Sequence, residues 1–225
     1  MPGALAILIP PSAGKAPGGR GEPWAPGRSV LPALDDARAR VLDAAGVSST
    51  PTLPAIERYT GVLATELAWS TLPSGAKRRG RSSLLIATAL LGFVGPFDAV
   101  PDHRLAMTDS LDGIGRLAAW WRPLLSEALA LHLSGRVVWD LLPNEHAAAW
   151  DHAVVPARRR RTARFVAADG RSVTHWNKLL KGALTRALLT TGATGPRALA
   201  GLSLPQGYRL DPGSSSTELV FTQPV

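Results

Sequence analysis

One loop near the start of the chain, SAGKAPGGRG, has residues suited to holding an anion. Gly14 and Lys15 follow a predicted strand, which is where a nucleotide-binding phosphate loop places its glycine and lysine. The loop departs from that pattern because Ile9 stands where the first glycine belongs, and Ala16 where Ser or Thr would bind magnesium. We therefore expect no nucleotide hydrolysis here, but backbone N–H groups together with Lys15 and Arg20 could bind an anion.

A second candidate anion site is the glycine pair in LDGIGRLAAWW, residues 111–121. Gly113 and Gly115 permit a tight turn with positive φ, and the N–H groups that open the next helix would then point outward at a phosphate. The spacing fits a helix-hairpin-helix element that binds DNA, with its first helix at about residues 104–110. An ordinary helix start fits the same residues, and both interpretations stay open.

Histidines and carboxylates offer acid–base or metal chemistry at two places. Asp98, Asp102 and His103 lie close in sequence, as do Glu145 and His146. Neither group has the spacing of an established metal motif, so we predict no metal site and no cofactor. His103 or His146 could instead transfer protons to a substrate near neutral pH.

A basic face accompanies the amphipathic helix predicted at residues 173–190. Its apolar residues recur at helical spacing and form a core-facing side: Trp176, Leu179, Leu180, Ala183, Leu184, Ala187 and Leu188. The opposite side carries His175, Lys178, Lys181 and Arg186. This side is either solvated or lines a cleft with Lys15 or Arg104, and Lys178 could then act in catalysis.

The charge balance favours a polyanionic partner. The 225 residues include 25 Lys and Arg against 17 Asp and Glu, with a formal net charge of +8. Four consecutive arginines at 158–161 predict an exposed patch whose binding weakens with salt. The absence of cysteine excludes disulfides and thiolate chemistry. We expect DNA, another polyanion or an anionic small molecule as partner, no membrane association, and a soluble cytoplasmic protein.

Apolar runs alternate with helical patterns along the chain. Strands are predicted at 4–9, 84–91 and 136–141, and helices at 32–45, 116–133 and 173–190. A hairpin is predicted around Asp169 and Gly170, and two short strands close the chain. The alternation indicates a single α/β domain over residues 1–225, with a mixed sheet flanked by helices.

Several sequence blocks in this order resemble the YaaA peroxide-stress family over nearly the whole chain. The blocks are LIPPSAGK at 8–15, RYTG at 58–61, ATALLGFVGPFDAVPDHRLAM at 87–107, LAAWWRP at 117–123, THWNKLLKG at 174–182 and GYRLDPGSSSTELVF at 207–221. The resemblance implies a mixed α/β fold with a positively charged cleft, DNA binding through a helix-hairpin-helix-like element, and protection when peroxide meets intracellular iron. The cleft residues carried over by position are Lys15, Tyr59, Thr60, Gly61, Arg104, Lys178, Lys181 and Gly182.

The chain departs from the family pattern at polar positions. Ala13 replaces the acid of Pro-Pro-Ser-Glu-Gly-Lys, and Gly95 replaces the arginine of Arg-Pro-x-Asp. Asp102 and His103 replace a Pro-Tyr or Ala-Tyr pair before Arg104. Pro143 and His146 stand where Ser and Tyr are usual. These changes raise the question of whether peroxide protection is retained, because function resides in sites rather than folds.

Two hypotheses follow. In the first, the chain is a DNA-binding stress protein that does no chemistry and contacts phosphates without sequence preference. In the second, it is a biosynthetic enzyme in which Lys15, Lys178 and Arg104 hold an anionic small molecule, and His103 or His146 moves a proton. A structure with both histidines outside the cleft would remove the chemistry of the second. We favour the first, because of the net charge and the glycine hairpin.

Overall fold

Apolar segments build a seven-stranded mixed sheet in the computed structural model, which describes residues 5–167, Arg171 and 176–223. The strands are β1 (Leu5–Ile9), β2 (Thr52–Pro54), β3 (Leu84–Thr88), β4 (Gly92–Val94), β5 (Ala99–Pro101), β6 (Ser110–Leu111), β7 (Gly115–Arg116), β8 (Val137–Asp140), β9 (Arg160–Val166), β10 (Arg209–Leu210) and β11 (Glu218–Thr222). The main sheet has the order β10-β11-β9-β8-β1-β3-β4, while β2 pairs with β5 and β6 with β7.

The five central strands of the main sheet are parallel, and the two edge strands are antiparallel. β1 pairs in parallel with β3 on one side and with β8 on the other. β9 pairs in parallel with β8 and β11, whereas β4 and β10 run antiparallel to their neighbours. Every residue of β1 and β3 is buried, which is why both read as continuous apolar runs rather than alternating patterns.

The helices that accompany the sheet in the described residues begin and end as follows. They are α1 (Asp35–Ala44), α2 (Ala55–Arg58), α3 (Val62–Leu67), α4 (Ser74–Ser83), α5 (Leu117–His132), α6 (Asn144–Ala147) and α7 (Asn177–Thr191). Short 3-10 turns lie at Pro32–Leu34, Trp69–Thr71, His152–Val154, Ala157–Arg159, Pro196–Leu199 and Pro205–Gly207. The predicted α/β class with a mixed sheet is confirmed.

The longest helix, α5, packs its apolar face into the core. Trp121 is fully buried, and its indole Nε1 donates to the carbonyl of Ala89 at 2.8 Å. Pro123 lies inside the helix, which continues through it to His132. Trp121 is thus a core residue. None of the helices among the described residues has the length and apolarity that a membrane span requires.

The glycine pair belongs to a β-hairpin, so the predicted helix-hairpin-helix is wrong for this segment. Leu111 pairs with Gly115 across the turn, and Gly113 and Gly115 have φ of 69° and 81°. Residues 102–109 contain no helix. They are held instead by Asp109, whose carboxylate accepts from Ala106 N at 2.8 Å and whose carbonyl accepts from Leu117 N at 2.9 Å.

The arginine run is not a uniformly exposed patch, which corrects the prediction from charge. Arg160 begins β9, and its guanidinium donates to a single oxygen of the buried Asp140 at 2.9 and 2.7 Å. Among the four arginines, Arg158 alone is exposed, and the other three are half-buried. The hairpin predicted at Asp169 and Gly170 lies outside the described residues.

Candidate functional site

A pocket of about 350 Å³ opens where the parallel strands β1, β3 and β8 end. Pro10 and Pro11 follow β1, Ala89 follows β3, and Pro143 follows β8; all four line the pocket. The chain leaves β1 for β3 on one side and later enters β8 on the other side. Such a reversal opens a crevice at the carboxyl ends of the strands, which is where open α/β sheets bind ligands.

Lys15 reaches this pocket because two sequence motifs pair with each other. Lys15 and Tyr59 form an isolated antiparallel bridge between the glycine-rich loop and the RYTG segment. Thr60 N donates to Gly14 O at 3.0 Å, on one side of the bridge. A Cβ added at Gly61, where φ is 113°, would lie 2.5 Å from Ser12 Oγ. The glycine therefore lets the two segments approach closely.

Arg58, whose role no sequence pattern indicated, binds the glycine-rich loop from inside the protein. The fully buried guanidinium donates to four backbone carbonyls: Ala16, Gly18 at 2.7 Å, Pro51 at 3.1 Å and Val100 at 3.1 Å. Ala16 N also donates back to Arg58 O at 2.9 Å. An arginine in a short motif carries no signal in the sequence that separates this role from a surface charge.

A buried polar pair forms the floor of the pocket. Tyr59 Oη lies 3.2 Å from His103 Nε2, and both residues are about 5% exposed. Burial raises the pKa of Tyr59 above its usual value, so its hydroxyl keeps its proton. Burial, assisted by Lys15 and Arg58, lowers the pKa of His103 to about 3. This pKa does not support the prediction that His103 exchanges protons near neutral pH.

His146 lines the pocket from the β8 side. It sits in α6, and its Nδ1 lies 3.3 Å from Glu145 Oε1. Burial lowers its pKa, Glu145 opposes that shift and Lys181 adds to it. Both histidines therefore lie in the pocket, and burial favours the neutral form of each.

The lysines of α7 occupy different depths. Lys178 is exposed, whereas Lys181 is 9% exposed, and burial lowers its pKa while Asp140 opposes that shift. Burial also lowers the pKa of Lys15, together with Arg104 and Arg58, against the opposing charge of Asp102. An anionic ligand beside either ammonium would favour its charged form and so oppose the effect of burial.

Two residues of α7 pack it against α3: Gly182, and Arg186 of the predicted basic face. A Cβ added at Gly182 would lie 2.8 Å from Glu66 Cβ and still closer to the Leu63 carbonyl, so the glycine lets α7 approach α3. Arg186 donates to the carbonyls of Leu67 and Ala68 at 3.0 Å, at the end of α3. His175 lies outside the described residues.

The structure brings together most of the candidate residues. Seven of them line the pocket: Lys15, Tyr59, His103, Arg104, His146, Lys178 and Lys181. Thr60 and Gly182 are not part of the lining; Thr60 contacts the glycine-rich loop, and Gly182 contacts α3. Gly113 and Gly115 are not among the described residues that line it.

Four of the six positions that depart from the family pattern line the pocket: Ala13, His103, Pro143 and His146. Asp102 and Gly95 do not. Gly95 lies in a turn closed by Asp98, whose Oδ2 accepts from Gly95 N at 2.9 Å and from Val30 N at 2.8 Å. Asp98 is therefore engaged in holding loops together. No cluster of three or more metal-capable side chains was found within the described ranges.

Comparisons with known proteins agree with the resemblance. The family model "Peroxide stress protein YaaA" matches residues 32–214. A UPF0246 protein of Streptomyces coelicolor is 36% identical, over 92% of this chain and 92% of its own length. A UPF0246 protein of Corynebacterium efficiens is 31% identical, over 83% of this chain and 86% of its own. The chain therefore belongs to the YaaA peroxide-stress family.

Proposed function

We propose that this chain binds the phosphates of DNA at the pocket, within the peroxide-stress response that the family name indicates. The observation that supports this is the convergence of four cations from three separate segments: Lys15, Arg104, Lys178 and Lys181. Such a cluster neutralises phosphates without reading bases, so binding is expected to be salt-dependent and largely independent of sequence.

The two exposed cations are suited to a duplex, because a duplex cannot enter a cavity of this size. Arg104 and Lys178 are exposed residues of the pocket lining. They define the mouth of the pocket, whereas Lys15 and Lys181 lie deeper and are partly or largely buried. The proposed duplex contact does not involve the glycine hairpin, because the positive φ of Gly113 and Gly115 is explained by the turn that they form.

Fluorescence anisotropy with a labelled duplex tests the proposal. Arg104→Glu and Lys178→Glu should each weaken binding roughly tenfold at about 100 mM salt, because each replaces a phosphate contact with a repulsion. Arg197→Glu is the matched control, since Arg197 is exposed and outside the pocket lining. Equal losses in all three variants would indicate only a net-charge effect, and unchanged affinity in the first two would refute the proposal.

The second candidate is an enzyme that acts on an anionic small molecule. It is favoured by the presence of both His103 and His146 in a pocket that also holds cations. His103 would then be a neutral hydrogen-bonding group, given its pKa of about 3. Native mass spectrometry of the purified protein tests this candidate: a retained small anion lost on denaturation supports it, and turnover of that compound would establish it.

A further inference from the structure

Two buried histidine nitrogens of the pocket lack a partner in the protein. His103 and His146 are 5% and 7% exposed, and both line the pocket. Among the described residues, neither Nδ1 has a hydrogen-bond partner; the contact of His146 with Glu145 lacks hydrogen-bond geometry. Buried polar atoms without partners are uncommon in folded proteins. Of the buried unpartnered side-chain atoms in the described part of the chain, only these two belong to residues that line the pocket, so a ligand held there could supply their partners.

The surroundings of His103 determine which group its Nδ1 can bind. Burial raises the pKa of Tyr59, so its hydroxyl keeps the proton that it can donate. Donation from the Tyr59 hydroxyl to Nε2 leaves the neutral imidazole with its proton on Nδ1. This nitrogen is then a donor beside the charge of Lys15, a combination that suits a phosphate oxygen.

Another part of the pocket lining offers different chemistry. Glu145, His146 and Asn177 belong to the lining, and side chains of these types could form hydrogen bonds with the edge of a nucleobase. Leu63, Leu105 and Met107 contribute apolar walls. The volume of about 350 Å³ lies at the lower end of the roughly 300 to 1,000 Å³ typical of small-molecule sites.

We propose that the pocket binds one nucleotide unit, with its phosphate between Lys15 and His103 Nδ1 and its base against the side formed by Glu145, His146 and Asn177. This inference deepens the proposed function and rests on it, since the phosphate is the group already assigned to the pocket cations. The unit comes either from a free mononucleotide or from a base turned out of a DNA strand. The same contacts serve both sources.

Isothermal titration with deoxyadenosine monophosphate, inorganic phosphate and deoxyadenosine tests the ligand class. The monophosphate should bind saturably and at least tenfold more tightly than either fragment, because only it uses both sides of the pocket. His103→Phe should weaken its binding about tenfold, since a hydrogen bond to a charged group is lost. His103→Gln, which keeps a donor, should restore part of the affinity.

Tyr59→Phe provides an independent readout if His103→Phe fails to fold. It removes the hydroxyl that fixes the histidine tautomer, and should weaken monophosphate binding severalfold. The source is distinguished with two duplexes that differ by one unpaired base. Tighter binding of the bulged duplex, lost in His103→Phe, assigns the site to a strand; equal binding of the two duplexes with tight monophosphate binding assigns it to a free nucleotide.

The failures of this inference and of the proposed function can be told apart. Wild-type protein that binds duplex but shows no saturable monophosphate binding and no preference for the bulge would overturn the inference alone. Monophosphate binding without any duplex binding would overturn the proposed function and leave the nucleotide site standing. Binding of inorganic phosphate as tight as that of the monophosphate would overturn the base contact.

Discussion

Several arginines that contribute to the positive net charge donate to backbone carbonyls inside the protein and are not available to bind a partner. Arg38 is fully buried, donates to the carbonyls of Leu91 and Phe93 at 3.0 and 2.8 Å, and pairs with Asp35 at 2.7 Å. Arg58 makes four such backbone contacts. The positive composition therefore says less about a polyanionic partner than the positions of four pocket cations do.

Replacing Arg58 should separate the fold from the site. Arg58→Met leaves four carbonyls without their donor, so the free energy of unfolding should fall by about 3 kcal/mol or more. Urea denaturation measures the loss, with Arg197→Met as the exposed control, expected to change stability by less than about 0.5 kcal/mol. Equal small changes in both variants would mean that Arg58 does not hold the loop.

His103 should make stability depend on pH. Its folded-state pKa of about 3 lies below the ordinary value of 6.5, so between these values the unfolded chain binds a proton that the folded protein does not. Stability from this group is complete above about pH 6.5 and is lost as the pH falls towards 3. Between about pH 7.5 and 5.5, wild type should lose about 1 kcal/mol more than His103→Gln, by urea denaturation. Parallel losses would contradict the buried neutral imidazole.

Elements with a strong apolar pattern could be predicted from the sequence, and those with mixed signals could not. β1 and α5 were predictable because their burial is nearly complete or follows the helical period. β9 was obscured by its arginines, one of which is neutralised by Asp140. The structure around Gly113 could not be predicted, because glycines with positive φ occur both in the turns of β-hairpins and in loops that bind phosphate.

The contact between α3 and α7 depends on one glycine. Gly182→Ala should destabilise the protein by about 1 to 3 kcal/mol, because the new methyl group overlaps the Leu63 carbonyl and Glu66, despite the better helix propensity of alanine. Thermal unfolding measures the effect. Gly195→Ala is the control, since a Cβ there meets nothing within 4 Å; a comparable loss in the control would contradict the packing argument.

At the scale of the whole molecule, the site depends on strand order, which local patterns do not determine. The residues near 15, 59, 103, 146 and 181 meet because β1 lies between β3 and β8 and because the glycine-rich loop pairs with the RYTG segment. Residue types pointed to the cations and histidines of the pocket lining, and family resemblance supplied Tyr59. Neither could show which lysine is buried, because depth follows from the packing of α7 on α3.

The salt dependence of duplex binding tests the central claim most directly. Arg104 and Lys178 are the exposed cations of the pocket, so Arg104→Gln with Lys178→Gln removes two phosphate contacts. A plot of log affinity against log salt should be shallower for the double variant by about 1.8, at ~0.9 for each phosphate. Parallel lines for the double variant and wild type would show that DNA is bound elsewhere, or not through these charges.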